Sequence, residues 1–292
     1  MSETSLEISN KNISCKNCDT QYTGNYCPEC GQSSKSFDKP FRFIIADFAG
    51  NIFAFDTRLW STIKAVLIHP GQMAMDIMNG KRARYVPPFR LYVFISFIFF
   101  LLINYTVSNV RDGQDQVLQQ ETVEGDSNDT TGLSKLPIEE NKKQEIKFND
   151  KKITIEHVVD HFEMYFSRFL QWFSYSLFLL MPFYAFLLWV FFRKTYKYYL
   201  GHLILALNQH VFTFILLTVI VLIGQILSFK TVYPEAYMLW LLPIYYVLGI
   251  RKMYQRKWST TIMRFSVVLI LYLISTLSMV LGLTVYTLYA LS

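Results

Sequence analysis

Cysteine is scarce: four residues among 292, confined to Cys15-Lys16-Asn17-Cys18 and Cys27-Pro28-Glu29-Cys30. No thiol elsewhere can serve as a nucleophile or build a disulfide framework. Met1 to Asn12 is polar and lacks an apolar core. A secretory signal is therefore not expected, and the first apolar span must direct insertion. There is also no Gly-rich phosphate loop, no Gly-x-Ser-x-Gly elbow and no carboxylate pair inside an apolar span. Phosphoryl transfer and serine hydrolysis thus lose their usual sequence marks. Nor do the apolar spans fall into two matching halves, as they do in many secondary transporters.

Apolar residue is abundant. It makes up 52% of the chain, 17% is aromatic, and only 17% is charged. A soluble domain of this length would not carry so much apolar side chain, so the bilayer is the solvent for much of it. Five spans are expected: Leu91 to Val107, Leu170 to Phe192, Leu203 to Leu227, Tyr237 to Ile250 with its flanks, and Phe265 to Leu291. A hydrocarbon core of about 30 Å needs roughly 20 apolar residues per helix. The fourth is the shortest and contains Pro243, so a kinked or re-entrant segment is an alternative there.

Basic residues crowd the segment before the first span and the regions around Arg193, Lys194 and Lys197 and from Arg251 to Arg264. Between Arg111 and Arg168 there are eight basic residues against thirteen acidic ones. The positive-inside rule then predicts a cytoplasmic N-terminus, an external C-terminus and reduced cysteines. The same rule accounts for the net charge of +6. It needs no nucleic acid, and only Tyr22 and Tyr26 near the cysteines could stack on bases, so none is expected as a partner.

Two Cys-x-x-Cys knuckles eight residues apart, with Gly31 after the second and Tyr22-Thr23-Gly24-Asn25-Tyr26 between, fit a zinc ribbon in which Cys15, Cys18, Cys27 and Cys30 hold one structural ion. Paired disulfides or a redox Cys-x-x-Cys fit the hairpin less well. The ribbon occupies residues 1–36. Residues 37–90 read as interfacial amphipathic helices and a basic juxtamembrane segment. Within them Phe41 to Phe55 is amphipathic, and Leu59, Trp60, Ile63, Val66 and Leu67 recur at helical spacing. Asp56 or Thr57 is a candidate cap, and His69-Pro70-Gly71 a stop. A second helix is expected from Gln72 to Met78.

Lys81, Arg82, Arg84 and Arg90 then lead into the span at 91–107. They suit a positive-inside anchor or contact with anionic headgroups, each cation adding on the order of 1 kcal/mol of attraction. Residues 108–155 read as an external loop, largely disordered over Asn109 to Glu145. A small hairpin is expected across Asn149-Asp150. Residues 156–292 form a helical membrane domain with four further spans.

Two polar groupings remain. His157 and His161 stand at i and i+4 beside Asp160 and Glu163, either as solvated side chains or as a weak second metal site. Val158 stands where a metalloprotease helix would carry its Glu. In the third span, His202, Asn208, Gln209 and His210 interrupt an apolar run. They are either hydrogen-bonding glue between helices or an intramembrane functional site.

The ribbon, Asp56-Thr57-Arg58, His69-Pro70-Gly71, Gly80-Lys81-Arg82-Ala83-Arg84-Tyr85-Val86-Pro87-Pro88 and the Gly201 to Phe212 helix together resemble the bacterial membrane family catalogued as domain of unknown function 3667. Asn208-Gln209 departs from that pattern. The resemblance implies a bacterial inner-membrane architecture and no particular activity. The expectation is an all-α, multi-pass membrane protein with about five spans, acting as a non-enzymatic adaptor or regulator whose ribbon docks a protein partner or its own membrane domain. A small-solute or lipid transporter, or a lipid-modifying enzyme, are the alternatives.

Overall fold

The computed structural model describes residues 12–34, 57–124, 145–148, 151–154, 162–227 and 234–291. Phe41 to Phe55, His157 and His161 lie outside them. The chain divides into two compact units, Met1–Phe99 with Leu180–Tyr272 and Phe100–Leu179 with Leu273–Ser292.

In the first unit, strands β1 (Ile13–Ser14) and β2 (Gln21–Tyr22) pair antiparallel, Ile13 opposite Tyr22. Helix α1 (Leu59–Ile68) follows, and the Ser61 and Thr62 hydroxyls both donate to the Arg58 carbonyl. No side chain caps its N-terminus. The helix stops at His69, as the His69-Pro70-Gly71 turn predicts, and α2 spans Gln72–Met78. Helix α3 runs over Pro88–Glu124, beginning where a proline suits a first helical turn.

Helix α5 (Tyr199–Leu227) is the axis of this unit. The 3-10 helix Pro234–Trp240 and α6 (Leu241–Tyr254) run back along it. Tyr246 lies level with Gln209 and Thr213, and Tyr254 level with His202. Phe212 stacks on Tyr245, ring centroids 3.6 Å apart, and the Tyr245 hydroxyl donates to the Val66 carbonyl of α1 at 2.6 Å. Gly71 and Gly249 bring the α1–α2 turn and α6 into backbone contact. The two short helices thus pack against α5 and α6, while Trp60 is 80% exposed.

The second unit holds the rest of α3, the first part of helix α4 (Phe162–Phe192), the end of helix α7 (Trp258–Leu291) and a hairpin of β3 (Glu145–Phe148) with β4 (Lys151–Thr154). The hairpin pairs Phe148 with Lys151, and the expected turn at Asn149-Asp150 lies outside the described residues. Here Trp172 meets Tyr286 edge-on at 5.5 Å.

Among the described residues four helices are long and apolar enough to cross a membrane, over Pro88–Ser108, Arg168–Phe192, Tyr199–Ile226 and Trp258–Tyr289. These fit a multi-pass membrane protein, and the segment expected as a fourth span is made of a 3-10 helix and a 14-residue α-helix. One difference concerns residues 108–124, expected in a disordered loop but continuing α3. Gln, Glu and Leu there are good helix formers, and adding turns to an existing helix avoids the cost of nucleation.

Candidate functional site: a four-cysteine centre and its seat

Each knuckle is built the same way. The Cys15 amide donates to the Thr20 carbonyl and the Asp19 amide to the Cys15 carbonyl, both within 2.9 Å; the Cys27 amide donates to the Gln32 carbonyl and the Gly31 amide to the Cys27 carbonyl, both at 2.9 Å. Closing each turn needs a left-handed residue after the second cysteine, supplied by Asp19 (φ 59°) and Gly31 (φ 69°). The result is four sulfurs within 4.8 Å of one another, with Cys15 to Cys30 and Cys18 to Cys27 each 3.5 Å apart. A tetrahedral ion with bonds of about 2.3 Å requires S···S separations of roughly 3.8 Å, so the cluster can hold a metal ion. All four cysteines are free thiols, not disulfides.

The thiols differ electrostatically. A hydrogen bond to the Thr20 hydroxyl draws Cys18 down to about 6, while removal from solvent pushes Cys30 up to about 11. Cys15 and Cys27 are buried with Tyr22, and among the described residues the apolar side chains packed around them are Ile13, Cys18 and Cys30. So small a core supplies little folding energy without a cross-link.

The ribbon rests on the basic juxtamembrane turn. Gln32 donates from Nε2 to the Gly80 carbonyl at 2.8 Å and accepts on Oε1 from the amides of Arg82 and Ala83 at 3.0 and 3.2 Å. Lys16 of the other knuckle lays its stem against Gly80, where an added Cβ would come 2.7 Å from Cδ. Beneath this turn Asp76 is 5% exposed. It accepts from the Tyr85 hydroxyl at 2.6 Å and Gln72 Nε2 at 2.9 Å, with Arg84 Nη1 at 3.9 Å. Burial first, and the Asp76 bond second, push the Tyr85 phenol up to about 12. Burial also lowers the Arg82 guanidinium. The Val86 amide donates to Thr62 Oγ1 at 3.0 Å, tying the turn to α1. Of the four expected headgroup contacts, Lys81, Arg82 and Arg90 are half-buried; Arg84 is exposed and faces Asp76.

The polar residues of α5 do not form one centre. His202 meets the Tyr254 hydroxyl through Nδ1 at 2.6 Å and the Tyr196 carbonyl through Nε2 at 3.0 Å. His210 meets the Ala206 carbonyl through Nδ1 at 2.9 Å and the Tyr272 hydroxyl through Nε2 at 2.9 Å. A carbonyl can only accept, so the neutral ring donates to it and accepts from the tyrosine. The proton then sits on Nε2 of His202 and Nδ1 of His210, and neither ring offers a metal a lone pair. Gln209 accepts from Tyr184 at 2.9 Å and donates to the Tyr246 carbonyl at 3.2 Å. Asn208 differs: it is 2% exposed, yet neither amide atom meets a partner among the described residues.

Sequence reasoning missed Gln32, Asp76, Tyr85 and the Gly71–Gly249 contact. A single acid inside the apolar run of α2 was a usable signal for Asp76. Nothing local marks Gln32.

A family model described as Protein of unknown function (DUF3667) matches residues 56–100. The match covers α1, α2, the basic turn and the start of α3, and bears out the resemblance over that stretch. No curated protein and no solved structure matches the chain.

Proposed function

We propose that this chain is a non-enzymatic adaptor or regulator of a bacterial inner membrane, with a cytoplasmic ribbon closed around one structural zinc ion. The observation that carries the reading is the four-cysteine cluster itself. Thiolates that fill a tetrahedral site leave no open position for substrate or water, so the ion organises a surface. A reducing cytoplasm with free thiols agrees with zinc. The intramembrane groups point the same way, since His202, Gln209 and His210 each bond to neighbouring backbone or tyrosines, which is how polar side chains glue helices in lipid.

The topology in this reading has five crossings, an N-terminus inside and a C-terminus outside. Support comes from the return of the 3-10 helix and α6 along α5. At about 2.0 and 1.5 Å per residue their 7 and 14 residues rise about 35 Å, enough for a core of about 30 Å. Lys81, Arg82, Arg84 and Arg90 then face anionic headgroups from the cytoplasmic side.

The test is purification in native lipid of the intact chain and of a variant with all four cysteines changed to Ser, at equal membrane levels. One zinc per chain and a protein partner present only with the intact ribbon are expected. Zinc bound without any ribbon-dependent partner contradicts the adaptor reading.

A second reading, a solute or lipid transporter working along α5, rests on the Asn208 amide, which has no partner among the described residues. It fails if Asn208→Leu fully complements a deletion strain. For a lipid-modifying enzyme, Asp76, a carboxylate within 4 Å of Arg84 in the basic cluster, is already engaged by Tyr85, Gln72 and Arg84.

A further inference from the structure

We propose that the ribbon is a metal-dependent latch whose docking partner is the Gly80–Ala83 turn of its own chain, so that metal loading is transmitted to the basic segment entering the first span. The inference rests on the ribbon reading above and adds the surface it grips. Among the described residues two side chains grip the turn, and they come from different knuckles. Lys16 lies in the first and packs on Gly80; Gln32 follows the second and binds Gly80, Arg82 and Ala83.

The spacing between Lys16 and Gln32 is therefore set by whatever holds the knuckles together. A two-residue strand pair and a core of three buried residues contribute little to that. The cation joining Cys15 and Cys18 to Cys27 and Cys30 contributes most of it. Without it the knuckles separate, and both contacts to the turn are lost together.

The turn is also well placed to pass the change on. The Lys81 amide donates to the Asp76 carbonyl at 2.8 Å and the Tyr85 hydroxyl to the Asp76 carboxylate at 2.6 Å. The Val86 amide reaches Thr62, and α1 is held to α6 by the Tyr245 bond to Val66. Ribbon, basic turn, α1–α2 and α5–α6 thus form one chain of directional contacts inside a single compact unit. The physical element with two states is the turn, bound to Gln32 or released from it.

The experiment is hydrogen exchange on the full chain in lipid nanodiscs, with zinc and after removal by a high-affinity chelator, for wild type and Gln32→Ala. Metal content is measured in parallel. Zinc removal is expected to speed exchange of the Arg82 and Ala83 amides by roughly tenfold or more, with the middle of α5 unchanged. Gln32→Ala should reproduce that acceleration while still holding one zinc per chain, which shows that the ribbon remains folded and only the grip is gone. Unchanged exchange at 80–86 after verified zinc loss overturns the latch and leaves the ribbon reading intact, as does unchanged exchange in a zinc-loaded Gln32→Ala protein. A chain that binds no stoichiometric metal overturns both.

Discussion

Replacing Gly71 by Ala perturbs the joint between α1–α2 and α6 at one atom. Gly71 has φ +73°, and an added Cβ would lie 2.5 Å from the Gly249 carbonyl oxygen and 3.0 Å from the Gly249 Cα. Both neighbours are backbone within α6, so neither can swing aside as a flexible side chain would. The left-handed conformation costs a residue with a Cβ about 1–2 kcal/mol, and overpacking typically adds about 1–3 kcal/mol. Gly71→Ala should therefore lose about 2–5 kcal/mol. The reverse substitution supplies the control. A Cβ on Gly249 would meet Gln209 Nε2 and the Gly71 nitrogen at 3.5 Å, ordinary contact, and alanine favours the helix by about 1 kcal/mol over glycine. Thermal unfolding of the three proteins in the same detergent reads the difference. The expected order is Gly249→Ala at or above wild type, with Gly71→Ala lower by on the order of 10 °C. Equal melting temperatures for the two variants would refute the close approach of turn and helix.

Other outcomes follow from the buried polar groups. Tyr85→Phe removes a donor from a carboxylate that is 5% exposed and should cost about 1–3 kcal/mol in denaturant unfolding, with the zinc content unchanged. Because the Tyr85 phenol is raised to about 12, its contribution is complete below the ordinary phenol value near 10 and is lost as pH rises through 12. The Phe variant should lack that part of the alkaline slope; identical slopes would remove Tyr85 from the account. Asn208→Leu should raise the melting temperature, since a buried amide without partners costs roughly 1–3 kcal/mol. A drop instead would mean that the amide is satisfied in the membrane. His202→Phe leaves the Tyr254 hydroxyl and Tyr196 carbonyl unpaired and should destabilise by about 1–3 kcal/mol, measured the same way.

What the sequence made legible were features whose cause is local. Four cysteines at knuckle spacing specify their own convergence, α2 ends where Asn79-Gly80 ends it, and long apolar runs announce themselves as spans. The polar side chains of α5 were visible as anomalies, but their roles were not. Whether His210 is glue or a site depends on Tyr272, sixty-two positions along the chain, and on the carbonyl that fixes its tautomer. Gln32 is harder still. It is an ordinary polar residue after a glycine, and its meaning comes from a turn 48 to 51 residues away. The extension of α3 to Glu124 was missed because polarity was read as disorder, although helix-forming residues joined to an anchored helix need no apolar face to continue it. The change from 3-10 to α-helix at Trp240 falls between Pro234, which opens the 3-10 helix, and Pro243, in the first turn of α6.

The closed metal centre is tested most directly by X-ray absorption at the zinc edge on the full-length protein purified in native lipid. The account predicts one zinc per chain with four sulfur neighbours at about 2.3 Å and no oxygen or nitrogen in the first coordination sphere. A mixed shell with a water or imidazole ligand, or a chain that carries no zinc, would contradict it.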